Sequence, residues 1–170
     1  KGVMLSHLNM LSVAYGGLSM LDCFKTDVFL SFLPLSHTLE RSVGYYAPVM
    51  SGATVAFART ASQLAEDLKI IRPTILVSVP RIFEKFFSRI EGQLEKKNFF
   101  IQYIFNLTNI IGWKKFNFEQ GRGRKKISLF FWPIFEKLIA KKILNNLGGK
   151  LRLAICGGAP LNKNLSKFFI

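Results

Sequence analysis

A chain of 170 residues, 49% of them hydrophobic, is long enough to bury a core and too apolar to remain disordered. Seventeen Phe residues raise the hydropathy, yet no window approaches the roughly 20 uninterrupted apolar residues that a spanning helix needs, and the best candidate, residues 99–113, is broken by Gln102, Asn106, Thr108 and Asn109. The net charge is +14, but it is concentrated: residues 96–152 hold 13 Lys or Arg against Glu119 and Glu136, so the remainder is only mildly basic.

The elements follow in chain order. Residues 6–21 carry Leu8, Leu11, Ala14, Tyr15, Leu18 and Leu21 at helical spacing, with Ser6 where a cap belongs. Residues 27–33 form a short apolar run closed by Pro34, the pattern of a buried strand entering a loop. A second helix is expected over 39–50, stopped near Gly52. A strand over 53–58, a helix over 61–71 ended by Arg72-Pro73, a strand over 74–79 and a helix over 82–94 follow. Strand and helix alternate with short links, which predicts parallel strands joined by crossover helices.

Residues 96–150 form a basic helical section: amphipathic helices over 99–113 and 129–147, joined by a turn-rich link that includes Gly121-Arg122-Gly123-Arg124-Lys125-Lys126. The α/β pattern returns with a strand over 151–156, the turn Gly157-Gly158-Ala159-Pro160 and a helix from about Asn162. Cys23 and Cys156 sit in apolar stretches without His or Cys at metal spacing, so neither a zinc site nor a disulfide framework is expected. A reducing, cytoplasmic compartment is the matching expectation. No signal peptide is visible. The chain starts at Lys1 without an initiator Met and stops at Ile170 inside a predicted helix, and we expect an internal piece of a longer protein.

Four places carry candidate chemistry. Gly157-Gly158-Ala159-Pro160 follows a predicted parallel strand at its carboxyl end, where open α/β sheets hold ligands, although any strand-to-helix turn favours Gly and Pro. Lys1 beside Gly2, just before a helix, is either a phosphate contact or a solvated terminal Lys. His37, after a buried strand and just before a helix bearing Glu40 and Arg41, either orients a carboxylate or merely bonds its own loop. Arg81 at the next strand end either meets an anion or pairs with Glu84 or Glu40. His7 is expected to be a local capping residue.

Taken in order, Lys1-Gly2-Val3-Met4-Leu5-Ser6-His7, Leu33-Pro34-Leu35-Ser36-His37-Thr38-Leu39-Glu40-Arg41, Val79-Pro80-Arg81-Ile82-Phe83-Glu84-Lys85 and Gly157-Gly158-Ala159-Pro160-Leu161 resemble successive blocks of long-chain fatty acyl-CoA synthetases, members of the adenylate-forming superfamily. The resemblance covers essentially the whole chain, is closest over 28–90 and weakens through the basic section.

It implies that the chain is part of the large N-terminal AMP-binding domain of an adenylate-forming enzyme, an α/β fold with a parallel sheet, crossover helices and a basic helical excursion. It further implies that ATP and a long-chain fatty acid form an acyl-adenylate, and that coenzyme A then displaces AMP. Lys1 matches the last Lys of the family's phosphate loop. Gly158, Ala159 and Pro160 match the segment lining the adenine and acyl-adenylate site. His37 matches a histidine near the acyl carboxylate, acting by position and electrostatics, and the acyl tunnel is expected to pass near the helix over 39–50. Arg81 is expected to play a supporting role.

The blocks that would supply Mg²⁺ ligands, the ribose contact and the catalytic Lys of the mobile carboxyl-terminal domain are absent, so this chain alone is expected to be inactive. Alternatives are a fatty acyl-AMP or acyl carrier protein ligase, a silent ligase remnant, or a basic module that binds membrane or nucleic acid. The basic section suits an anionic membrane surface, giving an expected location in the cytoplasm or peripheral to the cytoplasmic face of a membrane. A solvated basic face is the plainer account, and no nucleic-acid motif is present.

Overall fold

The computed structural model describes residues 2–124 and 127–170. The chain divides into two compact units: residues up to Ser78 together with Asn146–Gly158, and Val79–Asn145 together with Ala159–Ile170.

In the first unit, α1 spans His7–Met20, capped as expected by Ser6, whose hydroxyl accepts the Asn9 amide. The capping box is completed by Asn9 rather than by Glu or Gln. Its buried side chains are Met10 and Ala14, whereas Leu8, Leu11 and Tyr15 of the expected stripe are exposed. The helix is apolar on several sides, so periodicity alone did not choose the packed face.

Strand β1 is Val28–Ser31. The helix expected next begins with a π-helical stretch, Glu40–Tyr46, and continues as α2, Ala47–Ser51, ending at Gly52. Pro48 offers no N–H to the Gly44 carbonyl and its ring would crowd that oxygen, which a widened turn relieves. β2 is Thr54–Phe57, α3 is Leu64–Ile71 and β3 is Ile75–Ser78. β4, Leu153–Cys156, closes the unit. All pairings are parallel, in the order β2-β1-β3-β4, as the alternation of elements predicts. Phe29, Ile75 and Val77 form the core of one sheet face, with Leu39 and Val43 of the preceding turn and helix packed against them. Side chains alternate along a strand, so Leu30 and Leu76, both fully buried, face the opposite side.

The second unit is the long connection between β3 and β4 plus the segment after β4. α4 is Pro80–Glu95, with Pro80 in its first turn, and α5 is Phe99–Glu119, longer than expected and capped by Asn98. The helix expected over 129–147 is instead a chain of short pieces: a 3₁₀ stretch Ile127–Phe131, α6 at Trp132–Phe135, a π stretch Glu136–Ala140 and α7 at Lys141–Asn146. Pro133 interrupts the regular hydrogen bonding there. α8 is Lys163–Phe169, capped by Asn162. Aromatic rings hold this unit: Phe168 lies edge-on to Phe87 at 4.9 Å, and Phe169 edge-on to Phe83 at 5.4 Å. The Trp132 ring lies close against Gly112, where a Cβ would come within 3.1 Å of it. No helix among the described residues is long and apolar enough to cross a membrane.

Candidate functional site

Because every strand of the sheet runs the same way, the strand ends that sequence analysis singled out share one edge. β1 ends at Ser31, and the chain turns at 34–37, where the His37 amide donates to the Pro34 carbonyl at 2.9 Å. His37 is exposed on this turn, and its Nδ1 accepts the Leu39 amide at 3.3 Å. A neutral imidazole so bonded carries its proton on Nε2, which is left to meet a ligand. β4 ends at Cys156, and the Gly157 amide donates to the Ser78 carbonyl at the end of β3.

Leu39 fills the space beside Gly157: a Cβ there would stand 2.9 Å from a Leu39 methyl carbon. The His37 turn and the Gly-rich turn are thereby brought together at the carboxyl edge. Gly158 follows with φ +82, a conformation that glycine adopts without strain. Ala159 and Pro160 are exposed, and Pro160 precedes α8.

The electrostatics of this edge are set by burial. Glu40 is 1% exposed and accepts the Ser31 hydroxyl at 2.5 Å. Burial pushes its carboxyl pKa above the usual carboxylate range, against the weaker opposing pull of the Ser31 hydroxyl and the Phe32 amide. Burial likewise raises the Cys156 thiol. Glu40 Oε2 and the fully buried Ser78 Oγ have no hydrogen-bond partner among the described residues.

The opposite, amino edge is built differently. Asp27, Thr74 and Arg152 each stand just before a strand, and parallel pairing lays them side by side. Arg152 grips Asp27 through Nε at 3.0 Å and through Nη2, Thr74 donates to it at 2.7 Å, and the Phe24 amide donates at 2.8 Å. The Arg152 guanidinium beside Asp27 holds the carboxyl down at about 2. A further ion cluster, Arg59 with Asp67 and Glu66, ties the exit of β2 to α3.

Sequence analysis named His37, Gly158, Ala159 and Pro160, and these stand on the two turns that follow β1 and β4. Lys1 lies outside the described residues, as do Lys125 and Lys126 of the basic link. Arg81 is exposed in the first turn of α4 and enters none of the ion pairs among the described residues. His7 is the first residue of α1 and does not cap it; Ser6 does. In the sequence Glu40 reads as a charge beside His37 and Arg81, and its polar neighbours Thr38, Arg41 and Ser42 give no sign that it is buried. No group of three His, Cys, Asp or Glu able to hold a metal exists among the described residues.

An open parallel α/β sheet with a Gly-rich turn and an imidazole at its carboxyl edge has the layout in which such folds hold ligands. The chain belongs to the AMP-binding enzyme family, which it matches over residues 1–170. It is 32% identical over 172 residues to Fatty acyl-CoA synthetase A of Dictyostelium discoideum, covering 99% of this chain and 24% of that protein. It is 29% identical to Long chain acyl-CoA synthetase 3 of Arabidopsis thaliana over 99% of this chain and 25% of the relative. With Long-chain-fatty-acid--CoA ligase 5 of Rattus norvegicus it shares 32% identity over 99% of this chain and 24% of that protein. The chain thus spans about a quarter of the length of these relatives.

The fold matches the adenylation domain of a carboxylate reductase from Mycobacterium chelonae, with a TM-score of 0.58 and 23% identity, over 85% of this chain and 18% of that one. It also matches the A domain of a carboxylic acid reductase from Segniliparus rugosus, solved with AMP and a co-purified carboxylic acid, with a TM-score of 0.54 and 23% identity over 94% of this chain and 22% of that one. The α/β class with a parallel sheet and crossover helices stands on the topology and on the fold shared with these neighbours.

Proposed function

We propose that the whole protein activates a long-chain fatty acid with ATP to an acyl-adenylate and passes the acyl group to coenzyme A. The observation that carries this reading is the meeting of the His37 turn and the Gly157-Gly158 turn at the carboxyl edge of the sheet through Leu39. A carboxylate is a poor electrophile, and joining it to AMP supplies a leaving group. The backbone of Gly158-Ala159-Pro160 would receive the adenylate, and His37 Nε2 would orient the acyl carboxylate by donation. Lys1 would contact phosphate. The names of the relatives support fatty acid as the substrate class and CoA as the acceptor.

Mg²⁺, whose ligands we expect in a part of the whole protein beyond this chain, would neutralise phosphate charge, and no role given to the residues of this chain depends on it. The acyl route expected along the Glu40–Ser51 helix would have to open beyond what is seen there, an apolar cavity of ≈ 30 Å³ lined by Ala14, Phe29, Val43, Ala47 and Ile75 and reaching Cys23 and Leu153 at the amino edge. By itself that cavity holds a water molecule or two and not a long chain.

ATP–pyrophosphate exchange with palmitate tests the reading. The whole protein is expected to exchange, this chain alone to be inactive, and His37→Ala in the whole protein to lower the rate by roughly 10–100-fold. Absence of exchange with any fatty acid in the whole protein sinks it.

The basic section supports a peripheral contact with anionic lipid. Phe99 (83% exposed), Phe100 and Tyr103 stand on α5 next to exposed Lys96 and Lys97, and Phe130 (83% exposed), Ile134 and Leu138 stand near exposed Lys137, Lys141 and Lys142. Such a surface lays rings among acyl chains and cations among headgroups. Vesicles containing phosphatidylserine are expected to retain the whole protein more strongly than neutral vesicles, and Lys96→Glu with Lys97→Glu to weaken retention by about thirtyfold or more, at roughly 1 kcal/mol per cation lost. Equal binding to both vesicle types rejects the contact.

A further inference from the structure

The carboxyl group of Glu40 occupies a niche that exists because residue 44 is glycine. A Cβ at Gly44 would lie 2.7 Å from Glu40 Cδ and from both carboxyl oxygens. Within the niche, Oε1 takes the Ser31 hydroxyl at 2.5 Å and Oε2 is unpartnered among the described residues. A carboxylate there would leave a buried negative charge with too few donors, a penalty that the neutral acid avoids.

The chain between these two anchors carries His37. Its own bonds are local: the His37 amide to Pro34, the Leu39 amide to His37 Nδ1, and the Arg41 amide to the His37 carbonyl. Among the described residues, the Ser31–Glu40 bond is the one bond between two side chains that spans the turn from strand to helix, and the Phe32 amide acts on the same carboxyl group.

We propose that Glu40 is a positioning residue of the candidate site: seated against Gly44, its carboxyl group clamps the end of β1 at Ser31 to the helix that follows, and so fixes the turn bearing His37. The consequence for catalysis rests on the role of His37 given above, while the clamp rests on geometry alone. Burial, which favours the protonated carboxyl, makes the isosteric amide an adequate substitute.

Hydrogen exchange of the whole protein, followed by mass spectrometry over residues 32–39, tests the clamp without reference to any substrate. Glu40→Ala is expected to raise exchange there by about tenfold with β2 and β3 unchanged, Ser31→Ala by a smaller factor of about three, and Glu40→Gln to recover most of the protection. Exchange in Glu40→Ala that equals the wild type, or Glu40→Gln as loose as Glu40→Ala, overturns the proposal. If Glu40→Ala does not fold, unchanged exchange in Ser31→Ala overturns it. In pyrophosphate exchange, Glu40→Ala combined with His37→Ala is expected to be no slower than His37→Ala alone, and losses that multiply overturn action through His37. A whole protein without fatty-acid-dependent exchange removes the functional reading and leaves the clamp to the hydrogen-exchange result.

Discussion

The two edges of the sheet use polar residues in opposite ways. At the amino edge Asp27, 3% exposed, is surrounded by donors from Arg152, Thr74 and the Phe24 amide, and the Thr74 hydroxyl also accepts the Val28 amide at 2.9 Å. At the carboxyl edge Glu40 has a single strong donor, Ser78 Oγ has none among the described residues, and an imidazole faces outward on a turn. A satisfied network holds strands in register, whereas unpartnered buried polar groups call for an explanation, and the carboxyl edge is where open α/β sheets hold ligands. Along β1, β3 and β4 the satisfied network and the candidate site therefore lie at opposite ends, whereas the exit of β2 carries a satisfied ion cluster of its own, Arg59 with Asp67 and Glu66.

The sharpest way to break this comparison is to remove the amino-edge charge. Asp27→Ala in the whole protein is expected to lower stability to urea by about 3 kcal/mol, the low end for a broken buried pair because Arg152 keeps access to water. Asp27→Asn separates charge from shape through pH. The Asp27 carboxyl is at about 2 in the folded protein and near 3.8 when unfolded, so the unfolded chain takes the proton first. Its stabilisation of roughly 2 kcal/mol is present above pH 4 and disappears as pH falls from 3.8 through 2. Urea unfolding between pH 5 and pH 2 is expected to show a shallower decline in Asp27→Asn than in the wild type, at roughly 1.4 kcal/mol per unit of pKa difference. Equal slopes would place the acid sensitivity elsewhere. Glu40 has the reverse sign: its folded pKa lies above the unfolded 4.5, so its protonation favours folding as pH falls toward 4.5.

The fold was legible where local signals were strong. Ser6 marked a helix start, Gly52 an end, and the alternation of apolar runs with helical periods gave a parallel α/β sheet, while the helix expected from 82 begins two residues earlier, at Pro80. Two helices were misread for one reason. Pro48 and Pro133 lie inside otherwise helical patterns, and whether a proline ends a helix or widens it depends on packing against neighbours rather than on spacing.

At the site, His37 and the Gly157-Gly158 turn were visible because motif and strand end coincide. The Asp27–Thr74–Arg152 cluster was not, since its members are separated by 47 and by 125 residues in bond partners and meet only once strand order is known. A strand order of β2-β1-β3-β4 places Thr74 between the other two, and no local pattern carries that order. The depth of Glu40 was hidden in the same way, because Gly44 reads as a helix weakness until its empty side becomes the seat of a carboxyl group.

The smallest expected effect sharpens the contrast most. Ser78 is the last residue of β3, fully buried, and its hydroxyl has no partner among the described residues. A buried hydroxyl that makes no hydrogen bond contributes only its desolvation penalty, so deleting it relieves that penalty and opens a void of one oxygen atom. The two terms oppose each other, and Ser78→Ala is expected to change stability by less than about 0.5 kcal/mol, whereas an ordinary bonded hydroxyl loses about 1 kcal/mol. Urea unfolding of the whole protein with and without ATP reads both halves of the comparison. No change without ATP together with weaker ATP-dependent stabilisation would mean that the Ser78 hydroxyl finds its partner only when the carboxyl edge is occupied. A loss of about 1 kcal/mol without ATP would instead make Ser78 a structural residue like Thr74, and the two edges would no longer differ at that strand.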